Sequence, residues 1–165
     1  MQQSPILARM DKPDGDIKII ARNRRARHDY EITDTIEAGI ELMGSEVKSI
    51  REGKISLAEA YAVVENGDVI VKHMQITPYK MATREHVDPL RPRRLLLHRK
   101  EIRKLFIRVE QRGMALIPLA VYFKGKHAKI ELGVGIGRKK YDKRQAIAEA
   151  EAKRRISRAT RREAK

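Results

Sequence analysis

The sequence contains no cysteine and no tryptophan, and its 165 residues include only two phenylalanines and five tyrosines. Without cysteine there is no disulfide, no thiolate zinc site and no cysteine nucleophile, which fits a reducing compartment. So few rings leave few platforms for stacked bases, so recognition of a nucleic acid would fall to phosphate, ribose and shape. No stretch approaches the roughly 18 consecutive apolar residues that a spanning helix needs. No basic segment followed by an apolar one marks an export signal either, so a cytoplasmic location with no membrane partner is expected. Acidic residues are the remaining shortage: 22 Asp and Glu stand against 37 Lys and Arg, a net charge of +15.

What is present fits one compact domain with tails, since 165 residues at 41% hydrophobic content leave little room for two cores. Charged residues make up 36%, against roughly 25% in ordinary soluble domains, so an acidic partner is expected. The excess is concentrated at the end. Residues 137–165 hold 12 Lys and Arg against 4 Asp and Glu, and Ile147 and Ile156 are their only large aliphatics. That is too little apolar area to offset the entropy of ordering a segment. Ala146, Ala148, Ala150 and Ala152 with Glu149 and Glu151 nevertheless favour helix. The tail is therefore expected to be disordered when free and helical on a polyanion.

Residues 1–17 mix Ser4, Pro5, Pro13 and Gly15 without periodicity and read as a flexible leader. Beyond it the chain turns basic at Arg22, Arg24, Arg25 and Arg27, then strand-like around Tyr30, Ile32 and Thr33, with a second strand-like run over 39–43. Ser45 is the expected N-cap of a short helix that presents Val47 and Ile50 to one side and stops at Gly53. Runs 58–65 and 69–74 flank Asn66 and Gly67, which supply the positive φ angles of a type I′ hairpin. Three prolines over 78–94 describe a long loop. Ile102, Leu105, Phe106 and Val109 then fall on one helix face between His98 and Arg112, with Arg99, Lys100, Arg103, Lys104 and Arg108 projecting elsewhere. Two strands follow, 115–123 and 128–134, joined by a tight turn. About six short strands with hairpin-scale connections predict a mainly β fold: a small antiparallel barrel of the OB type over 18–136, two or three flanking helices, and the basic tail 137–165.

Catalytic signatures are missing. Gly133, Gly135 and Gly137 form GxGxG, which lacks the third glycine position of a dinucleotide fingerprint; they read instead as glycines that ease a bent strand or admit an RNA backbone. There is no GxxxxGK[ST], GxSxG or HExxH, and the histidines at 28, 73, 86, 98 and 127 show no ligand spacing. Neither enzyme activity nor a metal or cofactor is expected. The basic constellations are more informative. Arg99 with Arg103, and Lys100 with Lys104, repel by a few tenths of a kcal/mol per pair on a helix, and a phosphate backbone would reverse that sign. A ribosomal structural protein or a general RNA chaperone of OB type is the alternative that such a surface leaves open.

Five ordered blocks resemble a known family: 23–30 (Asn-Arg-Arg-Ala-Arg-His-Asp-Tyr), 37–40, 44–54, 93–98 with Glu101 and Ile102, and Gly137-Arg138-Lys139 leading into Tyr141-Asp142-Lys143-Arg144. They are similar to small protein B, the SsrA-binding proteins that partner transfer-messenger RNA in bacterial ribosome rescue. The resemblance runs from about Asn23 to the C-terminus and leaves out the leader. It implies an OB-type barrel that binds the tRNA-like domain of that RNA and travels with it to stalled ribosomes. It implies RNA contact at Asn23, Glu37, Arg51, Leu96 and His98, and the full candidate set adds Arg24, Arg25, His28, Lys48, Tyr61 and Arg94. Gly137 and the 141–144 block fall where the family meets the decoding centre. The candidate ribosome-facing set is Gly137, Arg138, Lys139, Lys140, Tyr141, Asp142, Lys143, Arg144, Lys153, Arg154 and Arg155, with the tail entering the vacant mRNA channel. One protein copy per RNA is the expected stoichiometry.

Overall fold

The computed structural model describes residues 16–82, 87–138 and 149–153. In chain order the elements are β1 (Ile17–Arg22), α1 (Ala26–Asp29), β2 (Tyr30–Ile40), α2 (Gly44–Arg51), β3 (Ile55–Ser56), β4 (Tyr61–Glu65), β5 (Asp68–Lys72), β6 (Gln75–Ile76), β7 (Arg93–Leu96), α3 (Arg99–Arg112), β8 (Ala115–Lys124) and β9 (His127–Gly137). Residues 149–153 are helical and exposed.

All pairings are antiparallel, and β8-β4-β5-β7-β2-β9 closes on itself because β9 also pairs with β8. This is the expected mainly β barrel. Closure removes the unpaired edges that an open sheet would leave. Its interior holds Val69, Val71, Leu95, Leu116, Val121, Ile130, Leu132 and Val134, each no more than 2% exposed. Fully burying one such side chain is worth about 1.5–3 kcal/mol, so this interior, not the polar surface, fixes the strand order. α3 adds Ile102 and Leu105 to the same core.

Several local expectations hold. Asn66 and Gly67 have φ of 52° and 79° between the paired Glu65 and Asp68, a two-residue hairpin with both central residues left-handed. Gly53 and Gly113, at φ 75° and 59°, follow α2 and α3.

Other expectations are corrected. The two strand-like runs around 30–33 and 39–43 are one eleven-residue strand, β2, which ends at Ile40. The run from 58 begins as strand only at Tyr61, because Ala60 N–H closes a turn on Leu57 C=O. α2 is capped by Met43 rather than Ser45: the Glu46 carboxylate, three residues on, reaches back to accept from Met43 N–H at 2.9 Å. The expected loop over 78–94 gives way to strand at Arg93, which opens β7. Phe106 is 48% exposed rather than on the buried face of α3. Arg108 is not a free cation but holds Asp34 at 2.6 Å. Four elements had no counterpart in the sequence reading: β1, which lies along the C-terminal half of β8, the single turn α1, and the two-residue strands β3 and β6, which pair with each other.

β8 is apolar almost throughout because both of its sides are covered. Leu116, Val121 and Phe123 join the main core, while Ile117 and Leu119 pack with Ala26 of α1 and with Tyr30 and Ile32. Pro118 interrupts its ladder at a register shift, the place in a strand where a missing N–H costs least. β2 and β9 approach closely at the matching bend. A Cβ on Gly135 would stand 2.3 Å from the backbone oxygen of Glu31, so that glycine serves the close crossing of two strands, in line with the bent-strand reading of GxGxG.

Candidate nucleic-acid interface

The candidate residues fall into three groups. The first lies on the outside of β7, β2, β9 and β8. Register places Leu96 beside Gly39, Gly39 beside Lys129 and Lys129 beside Tyr122, a row across four strands. Leu96 is 53% exposed, and its side chain lies over Gly39, where an added Cβ would stand 3.2 Å from Leu96 Cβ. Glu37, two residues before Gly39 on the same outer side, accepts a hydrogen bond from the Tyr122 hydroxyl at 2.5 Å. Burial first, then the Glu37 hydrogen bond and its charge, push the Tyr122 phenol far above its ordinary value, so Tyr122 stays a donor and fixes the carboxylate. Arg94 projects from β7 beside Leu96, holding Glu41 at 2.7 Å and lying 3.9 Å from Asp68. His98 follows, exposed, as the N-cap of α3.

The second group surrounds a cleft of about 520 Å3 between α1, the start of β4 and the junction of α3 with β8. Asn23, Arg25 and Tyr61 line it together with Asp29, Tyr30 and Glu59. Asn23 is itself structural: its Nδ2 donates to Leu57 C=O at 3.2 Å, and its Oδ1 accepts from Ala26 N–H at 3.1 Å, starting α1. Tyr61 is exposed, its ring 5.5 Å from that of His73. Arg24 and His28 are exposed at the rim of the same turn, His28 3.4 Å from Asp29.

The third group is on α2. Lys48 sits over the Tyr79 ring at 5.4 Å, and the Arg51 guanidinium over the Phe123 ring at 5.5 Å. Such contacts at exposed sites are worth about 0.5–1 kcal/mol and pre-orient the cations. Neither joins the Leu96 row.

Of the tail set, Gly137 ends β9, where a Cβ would meet only the Tyr30 ring, and Arg138 N–H donates to Asp29 C=O at 2.9 Å. Lys153 is exposed within the helical stretch 149–153. Lys139, Lys140, Tyr141, Asp142, Lys143, Arg144, Arg154 and Arg155 lie outside the described residues.

The sequence reading missed the groups that set this surface. Tyr122, which orients Glu37, sits 85 residues away and is brought in only by barrel closure. Arg93, 1% exposed, donates to Glu46 Oε1 at 2.9 Å, to Met74 C=O at 2.6 Å and to Pro89 C=O at 3.1 Å, anchoring the segment that leads into β7. Arg91 adds a second guanidinium on Glu46. Alternation within a basic run could have flagged Arg93, because it shares its strand face with Leu95. Among the described residues no three His, Asp or Glu side chains gather as a metal ligand set, and no helix is long and apolar enough to cross a membrane.

The SmpB family model, described as "SmpB protein", matches residues 20–162. An SsrA-binding protein of Halothermothrix orenii is 54% identical over 144 residues, covering 87% of this chain and 93% of that one. The SsrA-binding protein of Acetivibrio thermocellus is 55% identical over 141 residues, covering 86% and 92%. A solved structure described as "tmRNA-SmpB: a journey to the center of the bacterial ribosome" is similar with a TM-score of 0.63 at 43% identity, covering 79% of this chain and 94% of that one. The matched span takes in all three groups of candidate residues and most of the basic tail, and this chain belongs to the SmpB family.

Proposed function

We propose that this protein is an RNA-binding adaptor that holds the tRNA-like domain of transfer-messenger RNA and delivers it to stalled ribosomes for trans-translation. The observation that carries this reading is the 54% identity with an SsrA-binding protein along nearly the whole of both chains. The barrel surface supports it physically. An oriented carboxylate at Glu37, an exposed Leu96 and the Arg94 and His98 side chains give hydrogen-bond, apolar and cationic contact on one side of a rigid sheet, which suits a folded RNA read by shape. Asn23 contributes by holding the α1 turn, from which Arg24, Arg25 and His28 project, while Lys48, Arg51 and Tyr61 extend the contact along the barrel.

In this reading 18–136 is the RNA-binding body, 1–17 a leader, and 137–165 a tail that meets small-subunit RNA at the decoding centre and lies in the vacant mRNA channel as a helix, of which 149–153 are already helical in the free chain. The protein works in the cytoplasm, one copy per RNA, and itself makes or breaks no bond. A chain ending at Arg138, which keeps the Arg138–Asp29 bond that finishes β9, should bind transfer-messenger RNA within about threefold of the full chain and lose peptide tagging. Tagging at the normal rate by the shortened chain would overturn the role given to the tail.

A further inference from the structure

Among the described residues, four cations in the first half of α3 have no carboxylate partner. Arg99, Lys100, Arg103 and Lys104 are exposed, and none of them takes part in an ion pair among the described residues. The same helix commits Arg108 to Asp34, and Glu101 accepts the His98 N–H at 2.8 Å instead of answering a neighbouring cation. Arg99 and Arg103, and Lys100 and Lys104, are therefore left side by side, each pair one helical turn apart.

The next turn of that face carries Phe106 and Ile107, 48% and 40% exposed. Phe106 is one of only two phenylalanines, and the other, Phe123, is buried. It continues the Arg99–Arg103 stripe, at the exposed edge of the buried stripe that Ile102, Leu105 and Val109 form against the core. An isolated exposed apolar residue needs no explanation. A ring placed directly after a run of unanswered cations has the composition of a single-strand binding surface, in which cations track the backbone and aromatic faces stack on bases.

We propose that the outward face of α3 is a second RNA contact, in which Arg99, Lys100, Arg103 and Lys104 take phosphates of an unpaired strand and Phe106 stacks on one of its bases. This rests on the protein being an RNA-binding adaptor, but it shares no residue with the Glu37, Arg94 and Leu96 face. The strand must be unpaired, because the bases of a duplex have no free face to offer a ring. Apolar area favours RNA over a lipid surface: two exposed apolar side chains bury too little to hold a bilayer.

The test uses the full chain and two probes at about 150 mM salt: a ten-nucleotide single-stranded RNA carrying 2-aminopurine, and the isolated tRNA-like domain. Phe106→Leu keeps apolar bulk at the edge of the buried stripe without a π face. It should weaken single-strand binding by about 5- to 150-fold, the range expected for one stacked base, and abolish the fluorescence change. Phe106→Tyr should restore both. Lys100→Glu with Lys104→Glu should lower the slope of log affinity against log salt by about 1.4, two phosphate contacts on a single strand. Binding of the tRNA-like domain should stay within about threefold in every variant. Unchanged single-strand affinity in the variants, or loss with the cation reversals but not with Phe106→Leu, overturns the proposal. So does binding to phosphatidylserine vesicles that Phe106→Leu abolishes while RNA binding persists. Failure of the wild-type chain to prefer the tRNA-like domain over an unrelated hairpin would instead strike the adaptor reading itself.

Discussion

Glu37 shows what a single residue can and cannot disclose. Its place in a motif marked it for RNA contact, yet a carboxylate beside phosphates is unfavourable unless donors satisfy it. Tyr122 supplies one such donor to Oε2 and fixes the carboxylate; under the proposed function that leaves it an oriented acceptor for a base or ribose. Glu37→Gln keeps an acceptor for Tyr122 but gives up charge. It should lower the affinity ratio between transfer-messenger RNA and an unrelated hairpin by about tenfold, a loss of ~1.4 kcal/mol, close to the lower end of what a hydrogen bond to a charged group contributes. An unchanged ratio in a competition assay would move Glu37 to a structural role. Gly135 is a purely steric counterpart. With a Cβ 2.3 Å from Glu31 O, Gly135→Ala must part β2 from β9 and should cost at least ~2 kcal/mol in urea unfolding. The glycines were legible as backbone devices, because nothing else in the sequence gave GxGxG a chemistry. Which glycine carried the close approach depends on a strand a hundred residues earlier, and no local pattern encodes that.

At the level of elements, the hairpin at Asn66-Gly67 and the helix from Arg99 were readable because each rests on local rules, positive φ in one case and 3.6-residue periodicity in the other. β7 was not, because its first inward position is an arginine. Arg93 is accepted there only through Glu46 and three backbone carbonyls, a long-range arrangement that makes a basic, proline-flanked segment behave as strand. α2 was misplaced by one signal: Ser45 resembles a cap, but Glu46 does the capping. The pairing of Glu46 with Arg93 and Arg91 should therefore dominate the stability of this region. Arg93→Met leaves a buried carboxylate short of its partner and should cost about 3–5 kcal/mol, read from the denaturation midpoint. The same group gives a pH dependence. Burial alone would raise the Glu46 carboxyl, but hydrogen bonds from Arg91, Met43 and Arg93 and the Arg93 charge outweigh it, so the folded-state pKa lies below the ordinary 4.5. Its contribution is present above about 4.5 and is lost as pH falls through the lower folded value. Glu46→Gln should flatten the stability curve below pH 4.5; an acid limb as steep as the wild type would show that other carboxylates set it.

For the molecule as a whole, the central idea is a division of labour between a closed barrel that reads RNA by shape and a cationic tail that acts elsewhere. The barrel class was legible from the spacing of short strands. The grouping of Glu37, Arg94 and Leu96 was not, since it exists only once β7, β2, β9 and β8 lie side by side. Bulk charge alone would make a chain of net charge +15 bind any RNA, with affinity that collapses as salt rises. Shape-specific contact on one face should instead preserve preference when that electrostatic part is screened. The most direct measurement is competition binding at about 150 mM salt between the tRNA-like domain of transfer-messenger RNA and an unrelated hairpin of equal length. The account predicts a preference of at least about a hundredfold for the tRNA-like domain. Equal affinity for the two would contradict it.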